Sequence, residues 1–272
     1  MTTATWDLDA MLKRLHLPTI RRLHAELALR AEQDGTSYHD YLATLVAEEI
    51  AHRSQTRIER AVRQAGFPFL RTIDDFNFTF QNSLRLQMLG SFLGPELVTQ
   101  GRCAIFSGPP GRGKTHLAIA IAYRAIQNGF EARFTSADQL IGDLIAAADQ
   151  DRLEPALVPY LHPHLLVIDE LGYQSYGATA ANVLYRVVNE RYLKAKPMLF
   201  TTNKPLAALG ELLHDGDLAE AILDRVLERG THFLLRGSSY RTRHLKPQER
   251  PPAALATGAN PNPPEAAPCG TA

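Results

Sequence analysis

Cysteine, net charge and long hydrophobic runs are all scarce in this chain, and each shortage excludes a class of protein. Only two cysteines, Cys103 and Cys269, occur among 272 residues, which argues against a disulfide framework or a cysteine-rich zinc site. No apolar run approaches the ~20 residues that cross a bilayer. The start of the chain, residues 1–7, lacks the basic-then-apolar layout of a signal peptide. We therefore predict a cytoplasmic protein with no membrane association.

The acidic and basic residues balance, which limits how the chain could bind a polyanion. The 29 Lys and Arg residues cancel the 29 Asp and Glu residues, so any nucleic-acid-binding surface has to be a local cluster of charge. Hydrophobic residues make up 45% and charged residues 21% of the chain. This composition suits one ordinary α/β domain together with something smaller.

Periodicity and composition divide the chain into four predicted segments. Apolar residues recur at helical spacing from Leu8 to about Ala65, with breaks at Pro18 and at 35–37. Beyond Lys246 the chain is rich in proline and alanine, with too little apolar area to offset the entropy of ordering. The predicted segments are an all-α N-terminal module over 1–66, a connector over 67–100, an α/β domain over 101–246 and a proline-rich disordered tail over 247–272.

The third segment alternates short apolar runs with amphipathic helices. This rhythm predicts a parallel five-stranded sheet wrapped by helices. The capping-box pattern at 136–139 predicts a helix start directly after the second strand, which should therefore stop at Thr135. The predicted strands lie near 103–107, 131–135, 165–169, 197–201 and 231–235.

A complete phosphate-binding loop follows the first predicted strand. Residues 108–115 read Gly-Pro-Pro-Gly-Arg-Gly-Lys-Thr and lead into a helix. Glycines let backbone N–H groups turn toward phosphate oxygens, and the helix dipole favours negative charge there. Lys114 should reach the β and γ phosphates, and the Thr115 hydroxyl should ligate Mg²⁺. The predicted nucleotide-binding residues are Gly108, Pro109, Pro110, Gly111, Arg112, Gly113, Lys114, Thr115 and His116.

Two later strands end in side chains suited to phosphate chemistry. Asp169 follows four apolar residues and is predicted to hold the Mg²⁺ ion with Thr115. Glu170 is then placed to orient or polarise the attacking water, a role that favours hydrolysis over transfer to a small acceptor. Asn203, at the end of another strand, is predicted to hydrogen-bond the γ phosphate or that water.

Basic and aromatic residues outside these strands allow two interpretations each. Arginines at intervals of four, three and three fall on one helix face, which is either solvated or in contact with DNA phosphates. A basic tract near the end of the third segment could also grip DNA. Alternating phenylalanines at 76–80 favour packing over base stacking. The candidate DNA-binding residues are Arg53, Arg57, Arg60, Arg63, Arg236, Arg243 and Lys246.

Taken together, the motifs resemble those of a known ATPase family, the IstB-type transposition helper proteins. These belong to the AAA+ ATPases and are similar to the DnaC-type replicative helicase loaders. The resemblance covers about residues 8–246 and does not include the tail. The motifs that carry it, in order, are 108–115, Asp169-Glu170-Leu-Gly-Tyr, Thr201-Thr-Asn-Lys-Pro205, Ala221-Ile-Leu-Asp-Arg225 and Gly237-Ser-Ser-Tyr-Arg241.

The resemblance implies an AAA+ P-loop ATPase that binds ATP and Mg²⁺, assembles into a ring or spiral on duplex DNA, and engages a cognate transposase. It further implies that Arg225 is an arginine finger, donated in trans to the γ phosphate of a neighbouring subunit. Arg241 matches the second sensor, which acts on the nucleotide of its own subunit. Such a finger is typically worth roughly 10³–10⁵ in rate, so a monomer should hydrolyse ATP slowly.

The chain also departs from the family pattern and leaves other functions open. Arg112 stands at a loop position usually held by a small residue, and an aromatic often found after the 201–205 segment is absent from 206–213. A DnaC-type helicase loader is the main alternative, because its motor would look alike. A small-molecule kinase is disfavoured by Glu170, Asn203 and the two arginines, and a nucleotide-gated switch with negligible turnover remains open.

Overall fold

The computed structural model of the chain describes residues 7–172 and 179–244. The predictions for Lys246 and for the tail over 247–272 lie outside the described residues, as does Tyr173 of the motif that begins at Asp169.

Three helices form the N-terminal part, as predicted: α1 (Leu8–Arg14), α2 (Pro18–Asp34) and α3 (Tyr38–Ala65). Pro18 opens α2, where its missing N–H would have no helical partner. The Ser37 hydroxyl caps α3 by accepting from the Asp40 N–H, and Gly66 ends this helix with a φ of 74°. The core shared by the three helices is small and consists of Leu12, Ile20 and Leu45, with partly buried residues around it.

Helix α3 extends beyond this small core. Its last three turns place Ile58, Ala61 and Val62 against the hydrophobic core of the α/β domain, where Ala65 is fully buried. The connector then crosses the same domain through a 3₁₀ turn (Leu86–Leu89) and two short helices, α4 (Gly90–Leu93) and α5 (Glu96–Thr99). One continuous helix therefore joins the N-terminal module to the body that carries the phosphate loop.

Five parallel strands form one sheet in the order β2-β3-β4-β1-β5, which confirms the predicted sheet. Each predicted strand is present with its ends within two residues. Ser136 is both the last residue of β2 and the cap of the next helix, accepting from the Gln139 N–H at 3.1 Å. The strands are β1 (Cys103–Ser107), β2 (Ala132–Ser136), β3 (Leu165–Leu171), β4 (Met198–Thr202) and β5 (Gly230–Leu234).

Helices cover both faces of this sheet, because parallel strands are joined by crossover helices. Each face has its own hydrophobic core, and β1 and β4 are completely buried between the two. The carboxyl ends of all five strands meet at one edge, which is where Lys114, Glu170 and Asn203 lie. The remaining helices are α6 (Lys114–Gln127), α7 (Ala137–Ala148), α8 (Leu153–Leu161), α9 (Ala180–Leu193), α10 (Leu209–Leu213) and α11 (Gly216–Glu228), with a 3₁₀ turn at Leu206–Ala208.

A fully buried arginine supports the start of β3. The Arg191 guanidinium, on α9, donates to the carbonyls of Tyr160, His164 and Pro197 at 2.8 Å and to that of Pro163 at 3.1 Å. These carbonyls belong to the segment before β3 and to the residue before β4. Arg191 thus satisfies buried carbonyls of the segment before β3, and it adds a second donor to the Pro197 carbonyl, which also accepts from the Leu166 N–H.

We expect the Arg191→Leu substitution to lower the free energy of unfolding by roughly 3 kcal/mol or more, because it leaves several buried carbonyls without donors. Urea unfolding followed by circular dichroism measures this loss. Arg186→Leu is the matched control, since Arg186 lies on the same helix but makes an exposed ion pair with Glu154. Equal losses in the two variants would contradict the role assigned to Arg191.

Candidate nucleotide-binding site

The phosphate loop is packed between two other segments at the carboxyl edge of the sheet. At Gly113, where φ is 88°, an added Cβ would lie 2.6 Å from a ring carbon of Phe76 in the connector. At Gly111, where φ is 76°, it would lie 2.1 Å from the hydroxyl of Ser239 in the C-terminal segment. Both positions therefore require glycine for conformation and for space.

Lys114 begins helix α6 and folds back over the loop. Its ammonium donates to the carbonyl oxygens of Gly108 at 2.7 Å and Pro109 at 3.0 Å. Burial lowers the pKa of Lys114 to about 8, even though the Asp169 carboxylate favours its charged form. The Arg112 and Arg241 guanidinium groups also lower this pKa. A polyanion at the loop would reverse the shift.

Thr115, Asp169 and Thr201 form one hydrogen-bonded group across three neighbouring strands. The Thr115 hydroxyl lies 2.9 and 3.2 Å from the two carboxylate oxygens of Asp169, and the Thr201 hydroxyl donates to the same carboxylate. Thr115 follows β1, Asp169 ends the apolar part of β3, and Thr201 belongs to β4 between them. A hydroxyl and a carboxylate are the hard oxygen ligands that Mg²⁺ prefers, so these residues fit the predicted metal.

Glu170 is held in an unusual conformation beside this group. Its φ is 58°, in the left-handed region, and its N–H donates to the Thr201 hydroxyl at 2.9 Å. The pairing of β3 with β4 shifts register between Ile168 and Leu171 at the same point. Such a backbone costs of order 1–3 kcal/mol and is found mostly at functional sites. The result is an exposed carboxylate next to a buried one.

These residues surround one large cleft of about 810 Å³, in the upper part of the range for ligand pockets. The sequence-predicted residues that line it are Pro110, Gly111, Arg112, Gly113, Lys114, Thr115, His116, Glu170, Asn203 and Arg241. Gly108 and Pro109 do not line it but hold the Lys114 ammonium, and Asp169 reaches it through Thr115. The structure thus brings together nearly all the residues predicted for nucleotide and metal.

Positive charge exceeds negative charge in this cleft. The basic lining residues are Arg71, Arg112, Lys114 and Arg241, and the acidic ones are Asp75 and Glu170. The Nε atom of Arg112 is buried and makes no hydrogen bond within the part of the chain that the structure describes. A triphosphate would supply the acceptors and negative charge that these groups lack, so the cleft fits such a ligand.

Sequence reasoning missed the contribution of the connector to this cleft. The Gln81 side chain is buried, and its Nε2 donates to the Arg112 carbonyl at 3.2 Å. Its Oε1 accepts from the Ser83 hydroxyl at 2.8 Å, and the Ser83 oxygen accepts from the Arg236 N–H at 3.0 Å. Gln81 therefore ties the phosphate loop to both the connector and the basic C-terminal segment. Only the pattern of phenylalanines around it could have drawn attention to this stretch.

Aromatic rings complete the wall that the connector forms. The Phe76 ring packs edge-on against His116, with centroids 5.2 Å apart, and the Phe80 ring packs in the same way against Tyr240 at 5.3 Å. His116 also contacts the Thr72 carbonyl through Nε2 at 2.9 Å. The predicted packing of these phenylalanines is therefore present, but Phe76 and Phe80 also line the cleft, which the sequence did not indicate.

Arg225, the residue compared with an arginine finger, is not among the lining residues of the cleft. It lies on α11, where its guanidinium bonds the Asn189 side chain at 3.1 Å and the Ala221 carbonyl at 3.0 Å. The same group stands 4.9 Å from the centre of the Tyr185 ring. Action in trans remains a prediction for Arg225, whereas Arg241 does lie at the cleft of its own subunit.

The candidate DNA-binding arginines differ in what they contact. Arg53 pairs with Glu49 at 2.9 Å and also donates to the His16 carbonyl. Arg243 lies over the Tyr240 ring and donates to the Tyr240 carbonyl at 2.8 Å. Contact of any of these side chains with DNA remains a prediction.

The chain is similar to a family of ATP-binding proteins from insertion sequences. A family model described as IstB-like ATP binding protein matches residues 10–247. The chain is 36% identical over 236 residues to a candidate ATP-binding protein of insertion sequence IS5376 from Geobacillus stearothermophilus, covering 87% of this chain and 94% of the relative. It is 33% identical over 240 residues to the corresponding protein of insertion sequence IS21 from Pseudomonas aeruginosa, covering 88% and 90%.

Solved structures share the fold at low sequence identity. The crystal structure of DnaI superimposes with a TM-score of 0.51 at 18% identity, over 61% of this chain and 91% of that one. AMPPCP-bound DnaA from Aquifex aeolicus gives 0.51 at 20% identity, over 64% and 52%. These likenesses show the predicted AAA+ fold. Among the residues described here, no helix is both long and apolar enough to cross a membrane.

The pKa of Lys114 predicts how nucleotide affinity depends on pH. Bound phosphates should raise this pKa above the value of about 8 in the free protein. The contribution of Lys114 to nucleotide affinity is therefore fully present below pH 8 and is lost as the pH rises through the higher pKa of the complex. Between these two values affinity should fall by up to about tenfold per pH unit. Titration with a fluorescent nucleotide from pH 7.5 to 9.5 measures this. Lys114→Arg should bind with little dependence on pH, and a flat profile for the parent would contradict the prediction.

We expect Gln81→Leu to release nucleotide about three- to tenfold faster, because it removes from the phosphate loop a hydrogen bond worth ~0.5–1.5 kcal/mol. Stopped-flow displacement of a fluorescent nucleotide gives the rate. Gln87→Leu is the control, since Gln87 is exposed in the same connector. Unchanged release from Gln81→Leu would show that the connector does not hold the loop.

Proposed function

Because the chain belongs to the family of IstB-like ATP binding proteins, we propose that it is a cytoplasmic ATPase that assembles on duplex DNA and recruits or stimulates the transposase of an insertion sequence. The observation that carries the ATPase part is the hydrogen-bonded group of Thr115, Asp169 and Thr201 with Glu170 beside it. The relatives' association with insertion sequences supports the transposition part.

In this proposal each side chain of the cleft has a defined task. Thr115 and Asp169 would hold Mg²⁺, which supplies positive charge to the β and γ phosphates. Lys114 would leave the two loop carbonyls and bind phosphate oxygen, and Arg241 would contact the same nucleotide. Asn203 would bond the γ phosphate or the attacking water.

Glu170 is proposed to act on the attacking water. Its carboxylate would orient the water and take up its proton as the new bond to phosphorus forms. The Thr201 hydroxyl bonds both the Glu170 N–H and the Asp169 carboxylate, so it holds the backbone of Glu170 in place beside the Asp169 carboxylate. A kinase would need to shield its phosphate from water, whereas an exposed carboxylate at this position favours hydrolysis.

Arg225 is the residue through which ATP hydrolysis would depend on assembly. Its side chain lies on α11 against α9 and does not line the cleft of its own subunit, so in this proposal it would leave Asn189 and act at the site of a neighbouring subunit. When each subunit donates its arginine to the next one head-to-tail, the assembly is a ring if the rotation between subunits closes and a spiral if it does not. ATP would thereby favour assembly, and hydrolysis would favour its dismissal.

We expect ATP hydrolysis per subunit to rise with protein concentration and with duplex DNA, and to fall at least a hundredfold in Glu170→Gln and in Arg225→Ala. Mixing the two variants tests action in trans. An Arg225→Ala subunit keeps its own Glu170 and can receive Arg225 from a Glu170→Gln neighbour, so about one interface in four should regain activity on random mixing. A mixture as inactive as its components, or a rate independent of concentration, would reject the assembly model.

Pull-down of the purified transposase by the ATP-bound assembly on DNA tests the partner.

A further inference from the structure

A basic groove lies in the N-terminal module, far along the chain from the nucleotide cleft. It runs between the α1–α2 turn and helix α3 and has a volume of about 600 Å³. We propose that this groove binds the phosphodiester backbone of duplex DNA through Lys13, Arg57 and Arg60. The proposal rests on the DNA-binding part of the proposed function and adds a specific site to it. The lining residues are Lys13, His16, Pro18, Arg21, Glu49, His52, Arg53, Thr56, Arg57 and Arg60.

The acidic residue in this groove is already neutralised. Glu49 is only 4% exposed, and one of its oxygens accepts from the N–H groups of Thr19 at 2.9 Å and Ile20 at 3.2 Å. It therefore caps the start of α2, where the helix dipole favours negative charge. Its other oxygen pairs with Arg53 at 2.9 Å. The charge of Glu49 is thus used within the module and does not offset the remaining cations.

Two of the basic residues have structural partners. Arg53 links Glu49 to the His16 carbonyl and so holds the α1–α2 turn against α3. Arg21 pairs with Asp9. We assign Arg53 to the wall of the groove, because its guanidinium already bonds two groups, the Glu49 carboxylate and the His16 carbonyl.

Three cations remain available for a ligand. Lys13, Arg57 and Arg60 are exposed and form no ion pair with any residue in the ranges 7–172 and 179–244. Arg57 and Arg60 are three positions apart on α3, so their Cβ atoms are about 5–6 Å apart on one face. Lys13 approaches from the last turn of α1 on the other side. The groove therefore presents positive charge from two walls.

The chemistry of the lining favours nucleic acid over a protein segment. Protein-binding hot spots are built from aromatic and large apolar side chains in dry pockets. The groove offers Pro18 as its one hydrophobic ring, and its other lining residues are polar or charged. Binding to a phosphate backbone requires cations that stand close together on one surface, and this groove provides them. It does so in a chain whose net charge is zero.

Arg57 also joins the groove to the ATPase body. Its two terminal nitrogens lie 3.7 Å from where a Cβ on Gly129 would stand, in the turn between α6 and β2. Helix α6 begins at the phosphate loop. A DNA strand bound along the groove would therefore lie beside the helix that carries Lys114 at its other end.

The test compares the salt dependence of duplex binding by full-length protein in ATP and Mg²⁺ for the parent, the triple variant Lys13→Ala/Arg57→Ala/Arg60→Ala, and a control variant Arg14→Ala/Arg22→Ala/Arg30→Ala. Each phosphate contact contributes about 0.9 to the slope of log affinity against log salt, so the triple variant should lose about 2–3 in slope. Its affinity at low salt should fall more than tenfold. The control variant loses the same number of charges from exposed arginines of the same module that do not line the groove.

Circular dichroism and nucleotide affinity of the triple variant should match those of the parent, which shows that the module still folds. If the folded triple variant keeps the slope of the parent, or if the control variant Arg14→Ala/Arg22→Ala/Arg30→Ala loses as much slope, the groove assignment is wrong while DNA binding stands. If the parent itself does not bind duplex DNA, the proposed function fails, and this inference with it.

Discussion

The carboxylate of Asp169 is the centre on which the arrangement of the nucleotide cleft depends. It accepts hydrogen bonds from Thr115 and Thr201, which come from the start of helix α6 after β1 and from β4. Because β4 lies between β1 and β3, the Asp169 carboxylate links the end of β3 both to the adjacent strand and to the helix that follows the strand beyond it. The Thr201 hydroxyl accepts from the Glu170 N–H, so one small group aligns the predicted metal ligands and the predicted catalytic carboxylate.

A second set of bonds supports the phosphate loop from outside the sheet. The connector supplies Gln81 and the Phe76 ring, and the C-terminal segment supplies the Tyr240 N–H, which donates to the Gly111 carbonyl at 2.8 Å. Two stretches remote in sequence therefore meet at this loop. Any movement of this loop between nucleotide states would be transmitted to the connector and to the basic segment that follows β5, because the contacts are direct.

Charge is organised locally in a chain that is neutral overall. The cleft concentrates Arg71, Arg112, Lys114 and Arg241, and the N-terminal groove concentrates Lys13, Arg57 and Arg60. In the cleft the basic lining residues outnumber the acidic ones, and in the groove the Glu49 carboxylate is already bonded to Arg53 and to the start of α2. An excess of cations at these two places reconciles zero net charge with two sites for phosphate groups.

The sequence by itself determined the helical start, the five parallel strands and the residues of the phosphate loop, because these follow from local periodicity and from glycine and proline chemistry. It also indicated Asp169, Glu170 and Asn203, since strand ends in a parallel sheet share an edge. Only the tertiary structure decided that Gln81, Phe76 and Thr201 belong to the site. It also distinguished Arg53, which braces Glu49, from Arg57 and Arg60 on the same helix face. The reason is physical: these roles arise from contacts between segments distant along the chain, and no local pattern records which segments will meet.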